Sequence, residues 1–136
     1  KKDYIDTGKV KLIYKHLPLS FHPAAVPAAE SSECAGEQGK FWEYHDKLYQ
    51  EQAKQGQSTI VFSQKEITKW ASELGLNMTK FGQCVDSNKY TKKVQEDASL
   101  GNSLNVDGTP TFFINGKRIV GAQPYATFQK IIDDEL

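Results

Sequence analysis

The run Val106-Asp107-Gly108-Thr109-Pro110-Thr111-Phe112-Phe113-Ile114-Asn115-Gly116-Lys117 restricts what this chain can fold into more than any other. A Thr-Pro step ends a loop, and a short apolar strand begins at once. Asn115-Gly116 then turns the chain back into Lys117-Arg118-Ile119-Val120. Asn-Gly between two apolar runs marks a tight hairpin, because a type I′ turn needs positive φ at both central residues. Pro110 cannot donate to a ladder, so it fits the first position of a strand or an edge.

Upstream of the hairpin the pattern is mostly helical. Residues 1–7 are polar around Tyr4 and Ile5 and read as the end of an element, with Gly8 as its C-terminal cap. Val10, Leu12 and Tyr14 alternate with Lys9, Lys11, Ile13 and Lys15, mostly a period of two that predicts a strand ending before Pro18. Pro27 fits the first position of a helix over residues 28–35, where its missing N–H costs nothing. A second helix over 41–52 places Phe41, Tyr44, His45, Leu48 and Tyr49 on one face. Residues 53–59 are Gln-rich, contain Gly56 and read as an exposed loop.

Ser63-Gln64-Lys65-Glu66 is a capping box. It opens a helix with the stripe Ile67, Trp70, Ala71 and Leu74, ended by Gly75. Asn77 caps a short helix carrying Met78, Phe81, Cys84 and Val85. A further helix over 87–103 aligns Tyr90, Val94, Ala98 and Gly101. A last helix, with Pro124 in its first turn, buries Tyr125, Phe128, Ile131, Ile132 and Leu136. Strand, four or five helices, strand, hairpin strand and helix make an α/β arrangement.

The chain has 136 residues, which fits one domain. Its 17 basic side chains balance 17 acidic ones, so charge gives no argument for nucleic acid or an anionic membrane as partner. No apolar run approaches the roughly 18 residues of a membrane span. Cys34 and Cys84 stand far apart, and with three histidines they form no metal-site spacing. On the residues alone, two buried thiols and one disulfide are both open. His22 and His45 invite an acid–base reading, but a loop role for His22 and helix-face packing for His45 account for both. Trp42 and Trp70 read as core or groove lining. Asn77-Met78-Thr79 matches a glycosylation sequon, yet the cap already explains Asn77.

Taken together, several segments resemble the DsbA-like thiol–disulfide oxidoreductases in their BdbD-like branch. They are Phe21-His22-Pro23, Ala28-Ala29-Glu30, Glu33-Cys34-Ala35, Gly39-Lys40-Phe41-Trp42-Glu43-Tyr44-His45-Asp46 and Phe81-Gly82-Gln83-Cys84, with Gly108-Thr109-Pro110-Thr111-Phe112-Phe113-Ile114-Asn115-Gly116 and Val120-Gly121-Ala122-Gln123-Pro124-Tyr125. The resemblance implies a thioredoxin-like α/β fold over residues 1–136, a single domain with a helical insertion over 22–104. It also implies that the first strand and the start of the first helix are missing from this chain. The chain opens inside an element without an initiator methionine, so an excerpt of a longer protein is expected.

Further implications concern the site. Pro110 would be cis, Thr109 and Pro110 would form the catalytic loop, and Gly108, Thr109 and Pro110 would bind substrate. Cys34 and Cys84 would form a second, non-catalytic disulfide. No cofactor and no metal are implied. Substrates would be cysteine-containing proteins, with a redox partner protein of unknown identity, outside the cytoplasm in the periplasm or cell envelope. The family's Cys-x-x-Cys is absent from this sequence. The alternative is therefore a redox-inactive thioredoxin-like module that binds extended peptides along the proline loop. A glutathione-handling relative is a third reading, but it would need a basic pocket that the sequence does not show.

Overall fold

The computed structural model describes residues 1–56 and 61–136. Among them are α1 (Ala25–Gly36), α2 (Phe41–Lys54), α3 (Gln64–Glu73), α4 (Met78–Asp86) and α5 (Thr91–Ser103). The hairpin strands β1 (Thr111–Ile114) and β2 (Lys117–Val120) follow, and then α6 (Tyr125–Asp133). The chain divides into a helical unit, His16–Ser99, and a hairpin unit made of Lys1–Lys15 and Leu100–Leu136. The sequence had suggested 22–104 for the helical part.

In the helical unit the local signals act as expected. Ser63 Oγ accepts the Glu66 N–H at 3.2 Å, and Glu66 Oε2 accepts the Ser63 N–H at 2.8 Å, closing the capping box that starts α3. Asn77 Oδ1 accepts the Lys80 N–H at 3.0 Å and starts α4. The core is Cys34, Ala35, Tyr44, Leu48, Ile67, Trp70, Ala71, Leu76, Phe81 and Cys84. Tyr44 and Phe81 meet at 5.9 Å between ring centroids, and the Tyr44 hydroxyl donates to the Ile67 carbonyl at 3.0 Å. Burial pushes the Tyr44 phenol well above its ordinary range. Trp70 is buried with Phe62 against its edge, whereas Trp42 is 38% exposed.

A polar cluster joins the first residue of this unit to two helices. The His16 N–H donates to Asp97 Oδ2 at 3.2 Å, and His16 Nε2 lies 2.8 Å from Glu33 Oε1. Lys93 Nζ pairs with Glu33 and Asp97, each at 3.0 Å. Burial disfavours the Lys93 charge, but the two carboxylates outweigh it and its pKa rises.

Five expectations need correction. Residues 10–14 form no strand: alternation makes a strand only where a neighbour completes the ladder, and among the described residues only β1 and β2 pair. Residues 2–8 are successive turns, although Gly8 does close them at φ +75°, with its N–H bonded to Ile5 and that of Lys9 to Tyr4. Pro27 is the third residue of α1, not the first; the N–H it lacks still belongs to the set no helical carbonyl would satisfy.

The fourth correction concerns α5, which begins at Thr91. Residues 87–90 turn instead, with Asn88 at φ +52°. The fifth concerns α6. Pro124 precedes its first turn, and none of its residues is buried, because the hairpin offers only one small face to pack on. Phe128, Ile131 and Ile132 are half-buried, while Tyr125 and Leu136 are exposed. Helix α2 runs to Lys54, so the loop begins at Gln55, and the rest of the expected loop, residues 57–59, lies outside the described residues.

Candidate functional site

The proline loop is built by what precedes and follows it. Asn105, at φ +54°, ends α5; the Val106 N–H returns to the Gly101 carbonyl at 2.9 Å and the Asn105 N–H to Asn102 at 3.0 Å. This is the Schellman closure, in which a left-handed residue lets the chain satisfy the last helical carbonyls. On the far side, Asn115 and Gly116 take φ +46° and +87°, as a tight hairpin requires. The register pairs Thr111 with Val120, Phe112 with Ile119, Phe113 with Arg118 and Ile114 with Lys117. Phe112 packs edge-on against Phe128 of α6 at 4.8 Å.

Gly108, Thr109 and Pro110 lie between these anchors. The Thr109–Pro110 peptide bond is cis. Thr111 Oγ1 donates to the Gly108 carbonyl at 2.8 Å, and the Gly121 N–H donates to the Pro110 carbonyl at 2.8 Å, so both ends of the loop are tied to the hairpin. Thr109 and Pro110 are exposed. Among the described residues, the N–H and C=O of Thr109 enter no backbone–backbone hydrogen bond. A Cβ on Gly108 would meet nothing within 4 Å, so the space above the loop is open.

Charged groups pin the rest of this unit. The Tyr4 hydroxyl donates to Asp133 Oδ1 at 2.6 Å, an arrangement that pushes the phenol up to about 12. Tyr125 donates to Asp3 in the same way, and its pKa also rises. Lys117 meets Glu135 at 2.7 Å, which raises the ammonium and lowers the carboxyl. Arg118 extends from β2 to the end of α5: Nη2 donates to the Asn105 carbonyl at 2.8 Å, Nη1 reaches the Leu104 carbonyl at 3.5 Å, and Asp107 lies 3.7 Å away.

Cys34 of α1 and Cys84 of α4 are joined by a disulfide with Cα atoms 5.8 Å apart. Both are buried in the helical unit, at 1% and 6% exposure. They belong to a different unit from the proline loop. His22 is exposed in a loop with the Phe21 ring tilted against it, and His45 packs among Phe41, Trp42 and Tyr49 on α2 with Asp46 at 3.0 Å. No group of three or more His, Cys, Asp or Glu side chains is placed to hold a metal among the described residues. Among them, too, no helix is long and apolar enough to cross a membrane.

The sequence reading passed over Arg118 and the His16–Glu33–Lys93–Asp97 cluster. The only local hint of the cluster was Lys93 and Asp97 at i, i+4. Nothing in sequence spacing could bring His16 to them.

Residues 1–134 match the Thioredoxin family, and the chain belongs to it. Its structure is similar to that of the thiol-disulfide exchange protein alpha-DsbA2 from Wolbachia pipientis, with a TM-score of 0.82 and 22% identity over 99% of this chain and 70% of that one. It is equally similar to BdbD from Bacillus subtilis in its oxidised form, with a TM-score of 0.83 and 25% identity over 98% of this chain and 72% of that one. The fold is therefore thioredoxin-like, with the helices and small hairpin sheet of DsbA-like proteins.

Among curated proteins it is similar to the Na(+)/H(+) antiporter NhaA 3 of Salinispora tropica, 34% identical over 122 residues, and to NhaA 1 of Salinispora arenicola, 36% identical over 118 residues. These alignments take in 89% and 86% of this chain but 17% of each relative, so the chain spans about a sixth of their length.

Proposed function

We propose that this chain is the C-terminal, major part of a thiol–disulfide oxidoreductase that acts on cysteine-containing polypeptides outside the cytoplasm. The observation that carries the reading is Thr109: it is exposed at the head of β1, with backbone N–H and C=O outside every described backbone pairing. Such a pair of groups receives an extended peptide by strand addition. In this reading Gly108, Thr109 and Pro110 hold the substrate backbone beside the reacting disulfide. Gly108 keeps the approach clear, since no side chain rises above it.

The nucleophile must come from outside these residues, because Cys34 and Cys84 are bonded to each other and offer no thiolate. We place a Cys-x-x-Cys, with its strand and most of its helix, upstream of Lys1 in one N-terminally incomplete thioredoxin-like domain. The greater length of both similar structures supports this, as does a sheet of only two strands among the described residues. A thiolate there would attack a substrate disulfide, release one substrate thiolate and leave a mixed disulfide for the second cysteine to resolve. The Cys34–Cys84 bond supports an extracytoplasmic setting, the periplasm or cell envelope, where such bonds persist.

The competing reading is a redox-inactive peptide-binding module. The locked state of both cysteines in this sequence favours it, and so does the fact that the antiporter relatives are named for ion exchange and not for thiol chemistry. Insulin reduction by the full-length protein and by residues 1–136 separates the two. The first reading expects turnover by the full-length protein, loss of it in Thr109→Pro, which lacks the amide donor, and only the uncatalysed rate for residues 1–136. A full-length protein without Cys-x-x-Cys and without turnover supports the second. Turnover by residues 1–136 that Cys34→Ser abolishes would sink both.

A further inference from the structure

Arg118 lies outside the loop and bears on its shape. The loop has two supports on its exit side, the Thr111 hydroxyl bond to Gly108 and the Gly121 amide bond to Pro110. Its approach, residues 104–107, leaves a helix end through a left-handed residue, and the Schellman bonds satisfy the carbonyls of Gly101 and Asn102 only. Past Ser103, the carbonyls of Leu104 and Asn105 are the two that Arg118 takes. A planar guanidinium presents its donors in a fixed fork, so it fixes both a distance and an orientation. Its charge also sits at the negative end of α5, where a cation is favoured.

Arg118 pairs with Phe113 across the hairpin, and Phe113 is the third residue of the strand that begins at Thr111. The same side chain thus couples the approach to the loop with the strand leaving it. Asp107, almost fully exposed and 3.7 Å from the guanidinium, adds a carboxylate on the approach side.

We propose that Arg118 is a positioning residue for peptide binding: by clamping the Leu104 and Asn105 carbonyls to β2, it holds Gly108 and Thr109 in the shape that accepts an extended polypeptide backbone. The proposal rests on the peptide-binding reading of Thr109. Arg118 touches no substrate in this scheme and acts through the loop alone.

The test compares wild type, Arg118→Met and Arg118→Lys. Amide hydrogen exchange at Asn105 and Val106, whose N–H groups close the end of α5, reports the clamp, with Ile67 and Phe81 of the helical unit as internal controls. Affinity for fluorescein-labelled, S-carboxymethylated insulin B chain reports peptide binding without any thiol chemistry. In R118M, exchange at the Asn105 and Val106 amides rises at least about tenfold and the B-chain Kd rises about tenfold, the scale of losing one hydrogen bond to a charged group. The control amides do not change. R118K keeps the charge but not the fork, and falls between the other two.

Unchanged exchange at Asn105 and Val106 overturns the clamp. Faster exchange with an unchanged Kd overturns its role in binding. Wild type that binds no B chain overturns the peptide reading and this role with it, whereas wild type that binds and R118M that binds equally well overturns the role of Arg118 alone. If R118M fails to fold, R118K decides by the same two readouts.

Discussion

The Cys34–Cys84 bond links α1 to α4 across a sequence separation of 50, enclosing α2 and α3. Breaking it gives the unfolded chain back the entropy of an open loop. For a loop of that length the chain-entropy treatment gives about 4 kcal/mol, and native disulfides deliver about 2–4. Cys34→Ala with Cys84→Ala is the cleaner perturbation, since a serine would bury an extra hydroxyl at positions that are almost fully enclosed. With a urea slope of about 1–3 kcal/mol per molar, the unfolding midpoint falls by at least about 0.7 M. Trp70 fluorescence follows it, because that ring sits in the same core.

Reduced wild type is the decisive control. It keeps both sulfur atoms in the core and loses only the link. If constraint of the unfolded state is the source, reduced wild type and the double alanine variant fall together, with the alanine variant lower by its packing loss. A shift below about 0.3 M in reduced wild type would refute the entropic argument, since that corresponds to less than about 1 kcal/mol. A peptide map under non-reducing conditions must first show residues 34 and 84 in one linked fragment.

Three further outcomes follow from particular contacts. Ser63→Ala removes the acceptor for the Glu66 amide and should cost about 0.5–2 kcal/mol in urea unfolding, with Ser63→Gly closer to wild type. The Glu51 carboxyl, hydrogen-bonded by Lys47 and then Lys54, is held down to about 2 from 4.5. The sign follows from a lowered acid: its stabilisation is complete above about pH 4.5 and is lost as pH falls toward 2, so a carboxyl-carbon NMR titration midpoint near 4.5 would contradict it. Asp97→Ala leaves the buried His16 amide without its Asp97 acceptor and should cost about 1–3 kcal/mol, more than Asp97→Asn, which can still accept; equal losses in thermal or urea unfolding would argue against that account.

What the sequence made legible was what neighbours in sequence decide. The capping box at Ser63 and Glu66, the cap at Asn77 and the Asn115-Gly116 hairpin each need only three or four adjacent residues to satisfy their own backbone groups, and each is present. Residues 10–14 show the opposite case. Their alternation is a statement about side chains, while a strand is a statement about hydrogen bonds to a partner, and no spacing rule supplies that partner. Helix α6 departs from its pattern for a related reason: periodicity tells which face of a helix is apolar, but how deeply that face is buried depends on what lies opposite.

The same division runs through the candidate site. Gly108-Thr109-Pro110 could be singled out because the loop and the strand it starts are contiguous. Arg118 could not, because its fork reaches carbonyls 13 and 14 positions back, across a hairpin whose register had to be known first. His16 reaches Asp97 across 81 positions. Groups of this kind are visible only once the fold has placed them. They are also the groups that decide geometry: a loop motif supplies the atoms that could meet a peptide, and the long-range contact fixes where those atoms stand. The difference between a thioredoxin-like loop that binds and one that merely exists should therefore be sought first at residues such as Arg118, beyond the three that carry the motif.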